Sequence, residues 1–412
     1  MMRPLIHLTA PSGWINDPHA ITVRDGVHHL FHQYVPDSLV HDPACRWGHA
    51  VSPDLMHWEH RPVAIEPGDG DDGIWTGSLA QADDGPVILY TSVRSADYGM
   101  GRVRRAVPVD DRWDQWVKEE IVAQAPEDLD LIAYRDPFVM REKDGWRFFI
   151  GAGSRDGHAM ALTYTSRNLH EWTYDGVTAE RATTQTEPVW TGRLWECPQF
   201  VDVDGIWAMI SSVWDDDVLH YAAYGLGRYD GGRFSATSWG RLSHGNSYYA
   251  PSVFRDAEGR PSLMFWMREV MDAEQGWAGC LSVPHRLVAT DDGRLGTILH
   301  PQIRRRFGPG DPSDAARRPV LLSWRPSNGS VLHLGEGARL NRHGKVLTLR
   351  LGSGAPRSMP FRGGAVEVLL DGPALEVFSA GDVLGSPIPP VDGVGVEGGR
   401  LTASAYEGGE YE

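Results

Sequence analysis

WINDPHAITVRDGVHHLFHQY, residues 14–34, reads as two extended runs joined by a tight turn. The first run carries Ile15, Ile21 and Val23, the second Val27, Leu30 and Phe31, and Arg24-Asp25-Gly26 between them is hairpin-turn chemistry. Asp17 stands just before Pro18. The residue ahead of a proline is pushed toward extended backbone, so this acid is expected to be held in place, as a structural cap or as a working carboxylate.

The same plan recurs along the chain: IWTGSLAQADDGPVILYTS from 74, YRDPFVMREKDGWRFFIGA from 134, WECPQFVDVDGIWAMISS from 195 and YYAPSVFRDAEGRPSLMFW from 248. Each unit has an aromatic, a small or acidic residue, a short strand, a charged turn and an apolar strand. The starts lie about 60 residues apart, a period that fits propeller blades. SPDLMHWEH at 52–60 and SRNLHEWTY at 166–174 read as third-strand signals of the same logic. The fold expected is all-β, a five-bladed β-propeller over residues 1–300. PQIRRRFGPGDPSDAARRP, rich in Pro, Gly and charge, reads as a solvated linker over 301–319. The rest, 320–412, alternates short strands with glycine turns and is expected to form a small C-terminal β-sandwich.

Composition narrows the function. The chain has 412 residues, 41% of them apolar, 16 tryptophans and 47 glycines. A formal charge of −16 argues against nucleic acid as partner, because that binding runs on clustered Lys and Arg. No stretch approaches the roughly 20 apolar residues that span a bilayer, and the opening residues lack the apolar segment of a secretory signal. No membrane association is expected, and the location expected is the cytoplasm, or outside the cell for a trimmed mature form. Cys45, Cys197 and Cys280, odd in number and far apart, suggest reduced thiols rather than a disulfide framework or a metal cluster. Trp-rich, turn-rich β-structure raises carbohydrate as the ligand.

In a propeller, residues at the start of each innermost strand converge on one mouth. Asp17, Asp136 and Glu196 therefore meet in one funnel. Acids so close repel, which favours one staying protonated, and glycoside hydrolysis needs that pairing of carboxylate and carboxylic acid. Calcium is the rival, but it takes more oxygen ligands than three acids supply. Asp136 could also be a plain salt-bridge partner of Arg135, and Cys197 a small buried apolar residue.

WINDPHA, FHQY at 31–34, WGHAVSPDLMHW at 47–58, WTGS at 75–78, RDP at 135–137, ECP at 196–198 and YYAP at 248–251 occur in the order seen in glycoside hydrolase family 32, which the chain resembles over about 290 residues. The resemblance implies a retaining hydrolase of β-linked fructofuranosides such as sucrose and fructans. It casts Asp17 as nucleophile, Glu196 as general acid and base, and Asp136 as the group that binds fructose hydroxyls and stabilises the transition state. Asn16, Gln33, Arg135, Trp75 and Thr76 are implied to hold the innermost sugar, with Tyr249 and Trp266 on the same wall. No metal or cofactor is implied. His19-Ala20, where the family usually has Asn-Gly, and His41-Asp42 depart from the pattern and are expected on the leaving-group side, while Gln199 stands where Asp is frequent. AVEVLLDGPALEVFSAGD resembles the family's C-terminal module. A fructosyltransferase and a sugar-binding propeller without catalysis are the alternatives, the second opposed by the intact set of three acids.

Overall fold

In the computed structural model, which describes residues 3–411, five inner strands surround one axis: Gly13–Arg24, Gly73–Ala82, Leu131–Glu142, Leu194–Val203 and Tyr248–Arg255. Each opens an antiparallel meander that steps outward. In blade one the further strands are Val27–Val35, Arg46–Ser52 and Glu59–Ile65. Its first turn has positive φ at both Asp25 and Gly26, the backbone that matches strand twist in a two-residue hairpin. In blade five the third strand is broken into Trp277–Leu281 and His285–Ala289. The ring closes there, because Gly13 and Trp14 pair in parallel with Trp277 and Ala278, and Thr9 bridges Cys280. SPDLMHW and SRNLHEW are corners rather than strands: Leu55 and Leu169 have positive φ, and the fourth strands start only at Glu59 and Thr173.

Every inner strand carries a bulge at the same height. Asn16-Asp17 oppose Gln33 alone, since Ile15 pairs Tyr34 and Pro18 pairs His32. Asp136-Pro137 oppose Ile150, Cys197-Pro198 oppose Ser211, and Ala250-Pro251 oppose Phe265. In blade two Thr76 is the extra residue between the Trp75–Thr91 and Gly77–Tyr90 pairs. A two-against-one bulge bends the strand and re-aims the side chain it carries. Here it aims five successive strands at the axis.

Residues 320–406 form the sandwich, in which a six-stranded and a five-stranded sheet enclose Leu322, Trp324, Leu332, Leu340, Val368 and Val377. The stretch expected as a linker is built into it. Phe307–Pro309 pairs with Tyr406–Ser404, a helical turn spans Pro301–Arg304, and a 3₁₀ turn spans Pro312–Ala316. Its basic run is engaged too: Arg304 pairs with Glu367, and Arg306 Nη2 lies 2.9 Å from Asp54 Oδ2. Gly and Pro punctuate paired backbone there. Among the described residues no helix is long and apolar enough to cross a membrane.

Blades three and four approach closely at Gly151, the register partner of Arg135. A Cβ there would stand 2.1 Å from the Trp195 carbonyl oxygen of the next inner strand. Gly151→Ala is therefore expected to destabilise the protein by about 1–3 kcal/mol, the usual cost of overpacking. Denaturant unfolding checks this, and an unchanged midpoint would mean that the two blades have slack between them.

Candidate active site

The bulges of blades one, three and four bring Asp17, Asp136 and Glu196 into one funnel of about 550 Å³ at the mouth of the ring. Asn16, Gln33, Trp75, Arg135, Tyr249 and Trp266 line it with them. Thr76 stands one layer behind, buried, with its hydroxyl on Asp17.

The three carboxylates keep different company. Asp17 is held by neutral donors: Thr76 Oγ1 donates to Oδ2 at 2.7 Å and Asn16 Nδ2 to Oδ1 at 3.2 Å. Gln33 orders both donors, giving Nε2–H to Thr76 Oγ1 at 2.7 Å and accepting from Asn16 at 3.1 Å. Glu196 is held by charge. Arg135 donates through Nε and Nη2 to Oε1 at 3.1 and 2.7 Å, and the Tyr249 hydroxyl donates to Oε2. Arg135 itself lies between Trp75 and Trp214, its guanidinium carbon 5.6 Å from each ring centre. Asp136 accepts a backbone N–H from Cys197 at 3.0 Å, while its own N–H goes to Thr91 Oγ1 at 2.8 Å. Arg135 thus pairs with Glu196 across two blades, and the simple Arg135–Asp136 bridge is not what forms.

Burial dominates the electrostatics. Desolvation pushes the Asp17 carboxyl up to about 6, with Thr76 pulling down and Glu196 pushing up. Burial also holds Asp136 above the ordinary carboxylate range, opposed by Arg135 and reinforced by Glu196 and Asp17. The Cys197 thiol, 3.8 Å from Asp17 Oδ2 and 3.6 Å from Asp136 Oδ2, is raised by burial and by those acids, so it is a neutral spacer between them. Among the described residues no His, Cys, Asp and Glu cluster is arranged to hold a metal ion.

Backbone strain marks the same place. Asp136, Cys197 and Ala250 all have positive φ, and each precedes a proline. For non-glycine residues this costs on the order of 1–3 kcal/mol each and persists where surrounding structure fixes it. Asp17 has no such φ, in keeping with the extended backbone expected of it.

Two expectations about the leaving-group side divide. His41 does line the funnel. His19 does not: it is buried in a small axial cavity beneath, beside Pro137 and Gln199, with its ring 4.0 Å from that of Trp47. His19 pairs regularly with Phe31, between the bulge at Asn16-Asp17 and a second register shift at Ala20-Ile21. Gln199 makes no bond to Glu196 and instead joins two inner strands, donating to Pro251 O and accepting from Val253 N, both at 2.6 Å. Trp14, Tyr98, Trp214 and Asp217 also line the funnel and escaped the sequence reading. The signal for the last two was the acidic turn Asp215-Asp216-Asp217 after an apolar strand, which had to lie at the mouth because the preceding turn lies at the far end.

Residues 7–299 match the family model described as glycosyl hydrolases family 32 N-terminal domain. A raffinose invertase of Escherichia coli is 29% identical over 388 residues, covering 84% of this chain and 79% of that protein. A sucrose-6-phosphate hydrolase of Escherichia coli is 28% identical, covering 91% and 86%. Among solved structures, the Bombyx mori GH32 beta-fructofuranosidase superposes with a TM-score of 0.81 at 23% identity over 98% of this chain and 93% of that one. The sucrose-6-phosphate hydrolase of Lactobacillus gasseri reaches 0.83 at 20% identity over 98% and 93%. At such identities the superpositions speak for the fold, a propeller followed by a sandwich. The match across 7–299 speaks for descent, and the chain belongs to glycosyl hydrolase family 32.

Proposed function

We propose that the funnel hydrolyses β-fructofuranosidic bonds with retention, through a fructosyl group carried on Asp17. The observation that carries this is the contrast between two acids facing one pocket: Asp17 held by neutral donors, Glu196 gripped by Arg135 and Tyr249. A nucleophile bonded to no cation keeps its electron pair available. An acid clamped at both oxygens keeps its direction. Asp17 attacks the anomeric carbon as the bond to the leaving oxygen breaks, and Glu196 gives that oxygen a proton. Water then attacks the anomeric carbon, Glu196 takes its proton, and the bond from that carbon to Asp17 breaks, releasing Asp17 as carboxylate. Asp136, which burial holds above the ordinary carboxylate range while Arg135 beside it favours the ionised form, is suited to hold sugar hydroxyls as positive charge grows on the ring.

Relatives whose names specify raffinose invertase, sucrose-6-phosphate hydrolase and fructan 6-exohydrolase support hydrolysis of a fructoside over transfer to a second sugar. The charges favour a neutral leaving group over a sugar phosphate. Arg135, the cation of the lining, is already bonded to Glu196, and Asp217 adds negative charge at the rim.

Glu196→Gln keeps the shape and removes the proton donor. Turnover of sucrose, whose leaving group needs that proton, is expected to fall by about two to four orders of magnitude, and an aryl β-fructofuranoside much less. Equal losses on the two substrates would count against the role.

The Asp17 carboxyl makes a pH prediction in two readouts. Activity needs its ionised form, so kcat/KM should rise with pH through about 6. Stability runs the other way. The unfolded carboxyl ionises near about 3.9, the folded one higher, so the folded state is favoured below the first value and loses that advantage as pH rises through the second. Asp17→Asn should therefore raise Tm at neutral pH, with the gap closing in acid. A variant that melts lower at neutral pH would show that Asp17 is a structural anchor.

A further inference from the structure

The sandwich touches the propeller beside the active site, and one group of its contacts centres on a single buried acid. Glu376, on the sandwich strand Ala374–Ser379, is fully buried. Its Oε2 accepts from the Tyr248 hydroxyl and stands 2.7 Å from His285 Nε2, while its Oε1 accepts Val283 N–H at 3.0 Å and stands 2.9 Å from His7 Nε2. All four partners belong to the propeller side of the chain. The Tyr248 ring is also seated against sandwich backbone: a Cβ on Gly385 would lie 2.5 Å from Tyr248 Cε1. A second tether runs from Arg357, on the sandwich strand Arg357–Pro360, whose Nη1 and Nη2 grip Glu269 at 2.6 and 3.1 Å.

Consecutive residues of a strand face opposite ways. Tyr248 points out to Glu376, so Tyr249 points in, and its hydroxyl reaches Glu196. Glu269 likewise follows Arg268, whose guanidinium carbon lies 5.2 Å from the centre of the Tyr249 ring. The first tether therefore ends on the residue before Tyr249 and holds its strand, and the second ends on the residue after Arg268, which covers the Tyr249 ring. The local backbone needs holding, because Ala250 next to Tyr249 has positive φ within the bulge.

We propose that the C-terminal sandwich is a positioning element of the active site: Glu376 and Arg357 fix Tyr249 from two sides, and Tyr249 fixes the direction of the Glu196 carboxyl. Tyr248, Glu376 and Arg357 are positioning residues, since none of them lines the funnel. The proposal rests on the role given above to Glu196, and it gives the short sandwich a task other than binding sugar.

The test uses the full chain with Tyr248→Phe and Arg357→Met, singly and together. Neither residue lines the funnel, and the first change keeps the ring that packs on Gly385. The double variant is expected to lose about ten-fold in kcat on sucrose with KM unchanged, and less than about two-fold on an aryl β-fructofuranoside that needs little proton donation. Its crystal structure is expected to show the Tyr249 hydroxyl out of hydrogen-bond reach of Glu196. Equal loss on both substrates, or no loss, overturns the proposal. So does a Tyr249 hydroxyl still on Glu196, whatever substrate the enzyme takes. Should Tyr248→Phe fail to fold, Arg357→Met alone carries both readouts with a smaller expected loss in the same direction. A wild-type protein that turns over neither substrate would sink the reading of the funnel, while the crystal structure would still decide the tether.

Discussion

The constraint on which the site depends is the bulge repeated at one height in all five inner strands. A strand alternates its side chains, and a slip of one residue exchanges the two faces. Inserting one extra residue at 16–17, 76, 136–137, 197–198 and 250–251 performs that exchange locally. Below the bulge, apolar side chains such as Val139 and Val201 pack between blades. At the bulge, polar ones turn to the axis. Asp17, Thr76 and Asp136 lie within these bulges and Glu196 borders one, so the acids share a pocket although they come from strands far apart in sequence.

The same device explains the electrostatics. Re-aimed acids enter a space walled by Trp14, Trp75, Trp214 and Trp266, where burial makes the ionisation of Asp17 and Asp136 costly. Each acid must then be satisfied locally, and the neighbours differ enough to separate their tasks. The amides and hydroxyl around Asp17 are dipoles, so they orient it and leave its charge unopposed. Arg135 and Tyr249 act on Glu196 from opposite oxygens and come from different blades, so its direction depends on how blades three, four and five sit together. The glycine contact at Gly151 serves that assembly.

Much of this was legible in the sequence, for identifiable reasons. Blade number followed from a repeat whose turns, such as Asp25-Gly26 and Asp204-Gly205, have chemistry that depends on local backbone alone. The acids followed from their place at strand starts, and the wall residues were what the family resemblance implied. What stayed hidden is what depends on distance in space. The alternative of a plain salt bridge between Arg135 and Asp136, neighbours in sequence, gives way to a bond from Arg135 to Glu196, 61 residues on. The rule for residues before proline suggested extended backbone, and it fails at Asp136, Cys197 and Ala250, where tertiary packing imposes positive φ. His19 was placed on the wrong side because one extra residue in the ladder reverses direction. The segment around Phe307 looked like linker by composition, although its backbone pairs with the last strand of the sandwich.

The central claim is that Asp17 carries the sugar between two half-reactions. With Glu196 replaced by Ala, attack on an aryl β-fructofuranoside can still occur, while the water that should release the sugar lacks its base. Mass spectrometry of that variant, quenched in acid during turnover and digested, tests the claim most directly. The account predicts a hexosyl addition on the peptide that contains Asp17. An unmodified Asp17, together with product released in the inverted anomeric form, would contradict it.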